Sequence, residues 1–288
     1  MGTLPYINLG CGNKYHADWV NVDLNSHSPF VRPWDLTKGI PYDDNTFEVV
    51  YHSQVIEHYK REDAQRFIGE CYRILRPDGI MRVVTPDLED ITRNYLHYLE
   101  ENIRNPTDIT RANYEWMVLE LYDQAVRNAP GGEMENFFKQ PSIINEQFVI
   151  DRLGAVAKST RQHYLDMGRD GRAGAMKEFL RAVPSVTEKL YYGRKRFASL
   201  IRDTIIDLML PRTEKRNLRI GRFRQSGDIH YRLYDRYSLA KLLSESGFRD
   251  IKTVKPSLSD IPDWDRYELD VKNGEVCDPT SLFIESRK

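Results

Sequence analysis

The sequence predicts an α/β fold on a doubly wound, mostly parallel sheet. Three observations carry this. Short runs rich in β-branched residues alternate with helical patterns through the first hundred residues. The chemically distinctive residues Gly10, Asp23, Asp35, His52 and Asp87 each fall just after such a run, where open α/β sheets bind ligands. The last sixty residues return to the same alternation after a long helical middle.

Taken in order, Tyr6–Leu9 is the first strand and residues 19–24 the second. Residues 31–36 form a short third strand, broken by Pro33, and residues 47–51 a fourth. A helix follows, because Ala64, Phe67, Ile68, Cys71, Ile74 and Leu75 recur on one face while charge fills the other. The stretch RPDG, 76–79, stops it: Pro77 cannot continue a helix and Gly79 tolerates a left-handed turn. Residues 80–86, IMRVVTP, form the fifth strand. Strands alternating with helices give βαβ units and a parallel sheet covered on both faces, joined by right-handed crossovers.

From about 95 to 227 the chain is rich in Leu, Tyr, Arg and Glu with helical periodicity. TRANYEWMVLELYDQAV and FASLIRDTIIDLML are helix candidates, NAPGGEMENFFKQPS is a loop and MGRDGRAGAM a second breaker. We expect a core of residues 1–94 and 228–288 and a helical insertion, 95–227, that covers the acceptor site. In the tail, 235–248 is a helix with Asp235 as N-cap and Gly247 at its end. FRDIKTVKP and the final SLFIESRK are strands.

The composition is that of an ordinary soluble chain: 288 residues, 40% hydrophobic, 30% charged, net charge −1. Nothing in it calls for nucleic acid as partner. No stretch approaches the roughly 18 apolar residues of a membrane span, and no signal-peptide pattern opens the chain. Three dispersed cysteines form neither a disulfide framework nor a metal-spacing pattern, so a cytoplasmic, reducing compartment is expected.

The stretch INLGCGNKYHADWVNVDL, 7–24, holds a small glycine turn between two strands and an acid at the end of the second. Glycines there let the backbone approach a ligand, and N–H groups at the start of a following helix suit an anion. Asp23 can accept from both hydroxyls of a ribose. A dinucleotide site wants G-x-G-x-x-G and an acid about 20 residues on. Here position 15 is Tyr and the acid comes sooner, which argues against NAD(P) and leaves a nucleoside-binding cleft.

The ordered set LGCG, VNVDL, WDLTKGIPYDDNTFEVVYHSQVIEH and CYRILRPDGIMRVVTP resembles the class I S-adenosylmethionine-dependent methyltransferases. It is most similar to the branch acting on small molecules and glycans. The resemblance covers about residues 5–90 and 228–288 and implies a Rossmann-like, seven-stranded sheet with S-adenosyl-L-methionine as cofactor. It implies that Asn8, Gly10, Cys11 and Gly12 floor the methionine part. Asp23 would take the ribose hydroxyls, with Leu24 on the adenine face. Asp35 would take the adenine amino group, with Leu36 beside it, while His52 and Ser53 line the sulfonium side. The chain departs from the family between Gly12 and Val20, which leaves room for barely two turns of the usual first helix, so a truncated helix or a loop is expected.

Methyl transfer to a hydroxyl needs alignment and a base, and neutral His is the usual one. HSQVIEH supplies Glu57 and His58, and GDIHYRLYD supplies His230. Asp87, in TPD, is a fourth candidate for proton handling. Each has a plain structural alternative: Glu57 and His58 as pins of the next helix, Asp87 as a helix N-cap. His52, Asp87 and His230 are candidate ligands for a divalent ion, but no spacing requires a metal and none is expected. The basic run 189–224, with Arg194, Lys195, Arg196, Arg212, Lys215, Arg216, Arg219, Arg222 and Arg224, is either a solvated face or the seat of an anionic acceptor. The expected activity is O-methylation of a polar small molecule or glycan precursor. N- or C-methylation, aminocarboxypropyl transfer, cyclisation and a non-catalytic binding module stay open, as does a homodimer.

Overall fold

The structure is a computed structural model that describes residues 5–26, 28–170 and 210–288, with the backbone alone at 168–170. The features expected at 171–209, which include Arg194, Lys195, Arg196 and most of FASLIRDTIIDLML, lie outside the described residues.

Seven strands form one sheet: β1 (Tyr6–Leu9), β2 (Val20–Asp23), β3 (Val31–Pro33), β4 (Phe47–Ser53), β5 (Leu75–Pro86), β6 (Arg249–Thr253) and β9 (Ser281–Arg287). Their order is β3-β2-β1-β4-β5-β9-β6. The first five run parallel, and β9 runs antiparallel to both β5 and β6. This is the expected Rossmann-like, mostly parallel sheet. A small hairpin, β7 (Val271–Lys272) with β8 (Glu275–Val276), stands apart from it.

Two compact units are resolved. The first takes in residues 1–126, 143–158 and 229–288, and the second 127–142 and 159–228. In the first, α1 (Arg61–Ile74) buries Ala64, Phe67, Ile68, Cys71 and Ile74, the face read from its periodicity. Helix α8 (Arg236–Glu245) joins it in one core with Ile7, Leu9, Val50 and Met81. Asp235 caps α8 by accepting from the Ser238 N–H at 2.7 Å, and the Ser238 hydroxyl closes the box. Gly247 follows with a positive φ. Helices α2 (Leu88–Arg104), α3 (Asp108–Val126) and α5 (Glu146–Leu153) also belong to this unit, tied by buried Arg152, which pairs with Glu120 at 2.7 Å and Asp90 at 3.0 Å.

The opposite sheet face is covered differently. Trp264, Tyr267, Leu269 and Ile261, from a segment without α-helix, pack on Trp19, Val49, Tyr51, Ile80 and Val84. Arg82 of β5 is enclosed beneath them. Its Nε bonds Asp270 at 2.7 Å, and one terminal nitrogen reaches Glu285 at 2.6 Å and the Leu258 carbonyl at 2.9 Å. The other reaches the carbonyls of Pro256 at 3.0 Å and Lys255 at 3.4 Å. All five guanidinium protons have acceptors.

The second unit contains α4 (Gly132–Phe138), most of α6 (Ala155–Asp170) and α7 (Arg212–Arg224). Arg161 ties its loop by donating to the carbonyls of Phe138 and Gln140.

Several elements differ from the sequence reading. The third strand ends at Pro33, which removes a ladder donor, and Leu36 begins a short 3-10 turn. The fourth strand runs two residues further, to Ser53. In RPDG the left-handed residue is Asp78, at φ 63°, not Gly79; a Cβ on Gly79 would instead meet the Leu75 side chain at 2.8 Å. The stretch read as a loop at 128–142 contains α4, entered through left-handed Gly131. The second breaker does not interrupt α6 at Met167 or Gly168; its remainder lies outside the described residues.

Arg82→Met should lower unfolding free energy by roughly 3–5 kcal/mol, because two carboxylates then stay buried without their partner. Urea denaturation checks this.

Candidate functional site

The carboxyl ends of β1, β2 and β4 gather the cofactor candidates. The Gly10 N–H donates to the Val22 carbonyl at 2.7 Å, which joins the glycine turn to β2. Gly10 (φ 65°) and Gly12 (φ 50°) both adopt left-handed backbone. A Cβ on Gly10 would strike Val55 at 2.5 Å, whereas Gly12 faces open space. The turn is thus packed from one side and open on the other, as a backbone surface for a ligand must be. Residues 11–19 form turns and no helix, so the loop alternative holds and the N-terminus of a helix contributes nothing here.

Asp23, the last residue of β2, holds this turn together. Its Oδ2 accepts from the Gly12 N–H at 2.9 Å and its Oδ1 from Asn25 at 3.0 Å. Leu24 beside it is 59% exposed, an apolar surface next to a carboxylate. Asn8 is buried, donates Nδ2 to the Lys14 carbonyl at 2.8 Å, and its Oδ1 has no hydrogen-bond partner. Asp35 accepts from the Thr37 hydroxyl at 2.6 Å and backbone at 3.1 Å, and the hydroxyl contact holds its carboxyl below the usual range. Leu36 is half-buried beside it. Cys11 is buried, and burial pushes its thiol up to about 12, which leaves no reactive thiolate. An open glycine surface, an orphaned buried acceptor and an exposed leucine beside a carboxylate fit an adenosine with an amino-acid tail.

His52 is placed otherwise than the resemblance implied. Its side chain is fully enclosed, edge-on to Phe67 of α1 at 5.2 Å, and neither ring nitrogen has a partner. Burial holds its pKa down at about 3, so it stays neutral, inside the core rather than on the open floor. Ser53 next to it is half-buried and interacts with Tyr51.

Of the four proton-handling candidates, three come together. Glu57 and His58 lie in a short 3-10 turn after β4. Tyr231 donates its N–H to the Glu57 carbonyl at 2.8 Å, and His230 donates its own to the Gln124 carbonyl at 3.0 Å. The His58 and His230 rings meet edge to face at 4.8 Å. One side-chain nitrogen or oxygen from each of Glu57, His58 and His230 lies within 4.8 Å of the other two, a spacing that one divalent cation or one bridging water can span. Among the described residues this is the cluster that forms; His52 and Asp87 do not join His230 in one.

His58 Nδ1 is 3.1 Å from the Ile229 carbonyl. A carbonyl only accepts, so Nδ1 carries a proton in this contact, and Nε2 is the nitrogen that can serve as base. Glu57 is fully buried; its Oε2 accepts from the Thr85 hydroxyl at 3.0 Å and its Oε1 has no partner. Burial pushes its carboxyl up to about 8, so it is a neutral acid at pH 7. Asp87 caps α2 by accepting from the Glu89 N–H at 2.9 Å, and burial raises its pKa.

The sequence missed three contributors: Val55 under Gly10, Thr85 on Glu57, and the Lys14–Asp278 pair at 2.5 Å. Lys14 was visible as a cation just past the glycine turn, but its partner is 264 positions away and no local pattern announces it.

Residues 7–83 match the family model of a methyltransferase domain. A probable S-adenosylmethionine-dependent methyltransferase of Mycolicibacterium smegmatis is 36% identical across an alignment of 129 positions, taking in 36% of this chain and 48% of that one. One from Mycobacterium tuberculosis is 33% identical over 98 positions, 28% of this chain and 35% of that one. The chain therefore spans half or less of the length of these curated relatives. A solved S-adenosylmethionine-dependent methyltransferase from Archaeoglobus fulgidus shares 11% identity at a TM-score of 0.35, over 98% of this chain and 85% of that one, too loose to carry detail across. Residues 7–83 are thus similar to a methyltransferase domain, and the relatives that match the chain are named as probable S-adenosylmethionine-dependent methyltransferases. No helix among the described residues is long and apolar enough to cross a membrane.

Asp23→Ala should weaken S-adenosylmethionine binding at least tenfold, about 1.4 kcal/mol, by calorimetric titration. Glu57 carries a pH signature. Its folded pKa, about 8, lies above the usual 4.5, so between those values the folded state binds more protons than the unfolded. Its contribution to stability is therefore full below about 4.5 and falls as pH rises to about 8. Glu57→Gln should flatten that decline in unfolding measured from pH 5 to 8.

Proposed function

We propose that the protein transfers a methyl group from S-adenosylmethionine to an oxygen of a polar small molecule or glycan precursor. The observation that carries this reading is the meeting of Glu57, His58 and His230 just past β4, the strand next to the one that carries the glycine turn. When bound, the cofactor supplies a sulfonium methyl group that needs no further activation. Gly10, Gly12 and Asn8 hold its methionine part, Asp23 the ribose, and Leu24 and Asp35 the adenine.

The residues then supply alignment and proton removal. His58, its Nδ1–H anchored on the Ile229 carbonyl, takes the hydroxyl proton at Nε2. His230 braces that ring edge to face. Glu57 keeps its own proton at neutral pH and adds no negative charge beside the new imidazolium. Asp87, engaged as the α2 cap, holds the strand end.

An anionic acceptor is the finer part of the reading. Its support is α7, whose 13 residues hold Arg212, Lys215, Arg216, Arg219, Arg222 and Arg224 against one acid, Glu214. Residues 95–227 are the part of the chain we assign to acceptor selection.

The test is incubation with S-adenosylmethionine and a panel of sugar phosphates and sugar nucleotides, read by mass spectrometry. A product heavier by one methylene, with an oxygen-linked methyl group in its NMR spectrum, supports the reading. A nitrogen- or carbon-linked methyl, a larger added group or an isomerised product replaces it with another cofactor-consuming reaction, and binding without turnover replaces it with a binding module. His58→Ala should lower kcat by roughly 10²–10⁴-fold while cofactor affinity stays within a factor of three.

A further inference from the structure

Chains of this family usually carry a helix after the glycine turn, and its N-terminus brings partial positive charge to the cofactor. This chain has turns alone from residue 11 to 19. A carboxylate laid beside Gly12 therefore lacks that charge and needs another source.

Lys14 stands two residues past Gly12. Asn8 of β1 grips its carbonyl at 2.8 Å, so the lysine backbone is fixed to the first strand of the binding floor. The other amide atom of that buried Asn8, Oδ1, has no partner, and the ammonium at the methionine end of the cofactor is a donor of the kind it lacks. The Lys14 ammonium meets Asp278 at 2.5 Å. Asp278 lies on the turn that leads into β9, where its carbonyl accepts from the Ser281 N–H at 3.2 Å. Gln54, just beyond β4, donates to the Ser281 hydroxyl at 2.9 Å. The ion pair thus joins the exit of β1 to the turn that enters β9, and Gln54 ties that turn to the exit of β4.

The pair is not sealed. The side chains are 38% and 19% exposed, and an ion pair so open to water adds little net stability. Unlike the enclosed Arg82 pairs, it is open to an incoming anion. A carboxylate arriving on the glycine turn can replace Asp278 on Lys14, one anion for another.

We propose that Lys14 is the counter-charge for the methionine carboxylate of S-adenosylmethionine, held ready at the cleft by Asp278 and doing by side chain what a helix N-terminus does elsewhere in the family. The inference rests on the cofactor reading above.

The test is calorimetric titration of the full chain with two ligands. S-adenosylhomocysteine carries the carboxylate; 5′-methylthioadenosine keeps the adenosine and thioether without it. Lys14→Met should weaken S-adenosylhomocysteine at least tenfold and leave 5′-methylthioadenosine within twofold, which also shows that the variant is folded. Lys14→Arg should keep both affinities within about threefold, and Asp278→Asn should leave S-adenosylhomocysteine equal or tighter. Unchanged S-adenosylhomocysteine affinity in Lys14→Met overturns the assignment, and so does equal weakening of both ligands, the mark of a purely structural lysine. If the unaltered protein binds neither ligand, the cofactor reading itself falls and the assignment with it.

Discussion

The enclosed guanidinium of Arg82 is the interaction on which much of the first unit depends. A charge out of water is tolerated only with close opposite charges and a full set of acceptors. Arg82 has both: Asp270 and Glu285 for charge, and three main-chain carbonyls for the remaining protons. Glu285 faces it directly across the β5–β9 ladder, and Tyr51 of β4 donates its hydroxyl to Asp270 at 2.7 Å. One side chain thus joins three strands to residues 255–270. That segment has no α-helix to satisfy its own backbone, so the sheet satisfies it instead. Trp264 then lies over the guanidinium at 4.6 Å and seals it.

This cover explains how the sheet does without a first helix. Trp19 packs on Tyr6, Trp264 and Tyr267 in edge-to-face contacts. His16 stands edge-on to Tyr267, and Asp18 pairs with Arg266. The loop from 11 to 19 is short because the tail supplies the apolar layer a helix would otherwise provide. What the loop does not recover is the helix's terminal charge, and the Lys14–Asp278 pair stands at that place.

Much of this was legible in the sequence. β1, β4 and α1 follow from local periodicity: Ala64, Phe67, Ile68, Cys71 and Ile74 face inward as their spacing requires. The glycine turn and Asp23 are legible because the turn and its partner strand are adjacent in sequence, and the Asp235 cap because its partner lies three residues on. The unread parts depend on partners far away or on competition between local choices. Asp78 takes the left-handed position because Gly79 lies against Leu75 and the Arg76 carbonyl, a packing fact that a Pro-Asp-Gly string does not encode. The cover over Arg82 has no periodic signal, since its order comes from the sheet. At the site, Glu57, His58 and His230 were readable as residue types near strand ends. The Asp87 cap was one of the readings its place before a helix offered, whereas the enclosure of His52 in the core depended on which sheet face its side chain meets.

The joins that hold the loop have a temporal meaning. Lys14 and Asp278 are 264 positions apart, and Asp18 and Arg266 are 248 apart. Contacts of such separation close late, because the intervening chain must be ordered first. During synthesis the first two strands leave the ribosome well before Arg266 and Asp278 exist. A nascent chain therefore holds the whole glycine turn and Asp23 without the layer that fixes them. The turn is fixed only once Arg266 and Asp278 have been made, so residues 266–278 decide when residues 11–23 take their final form.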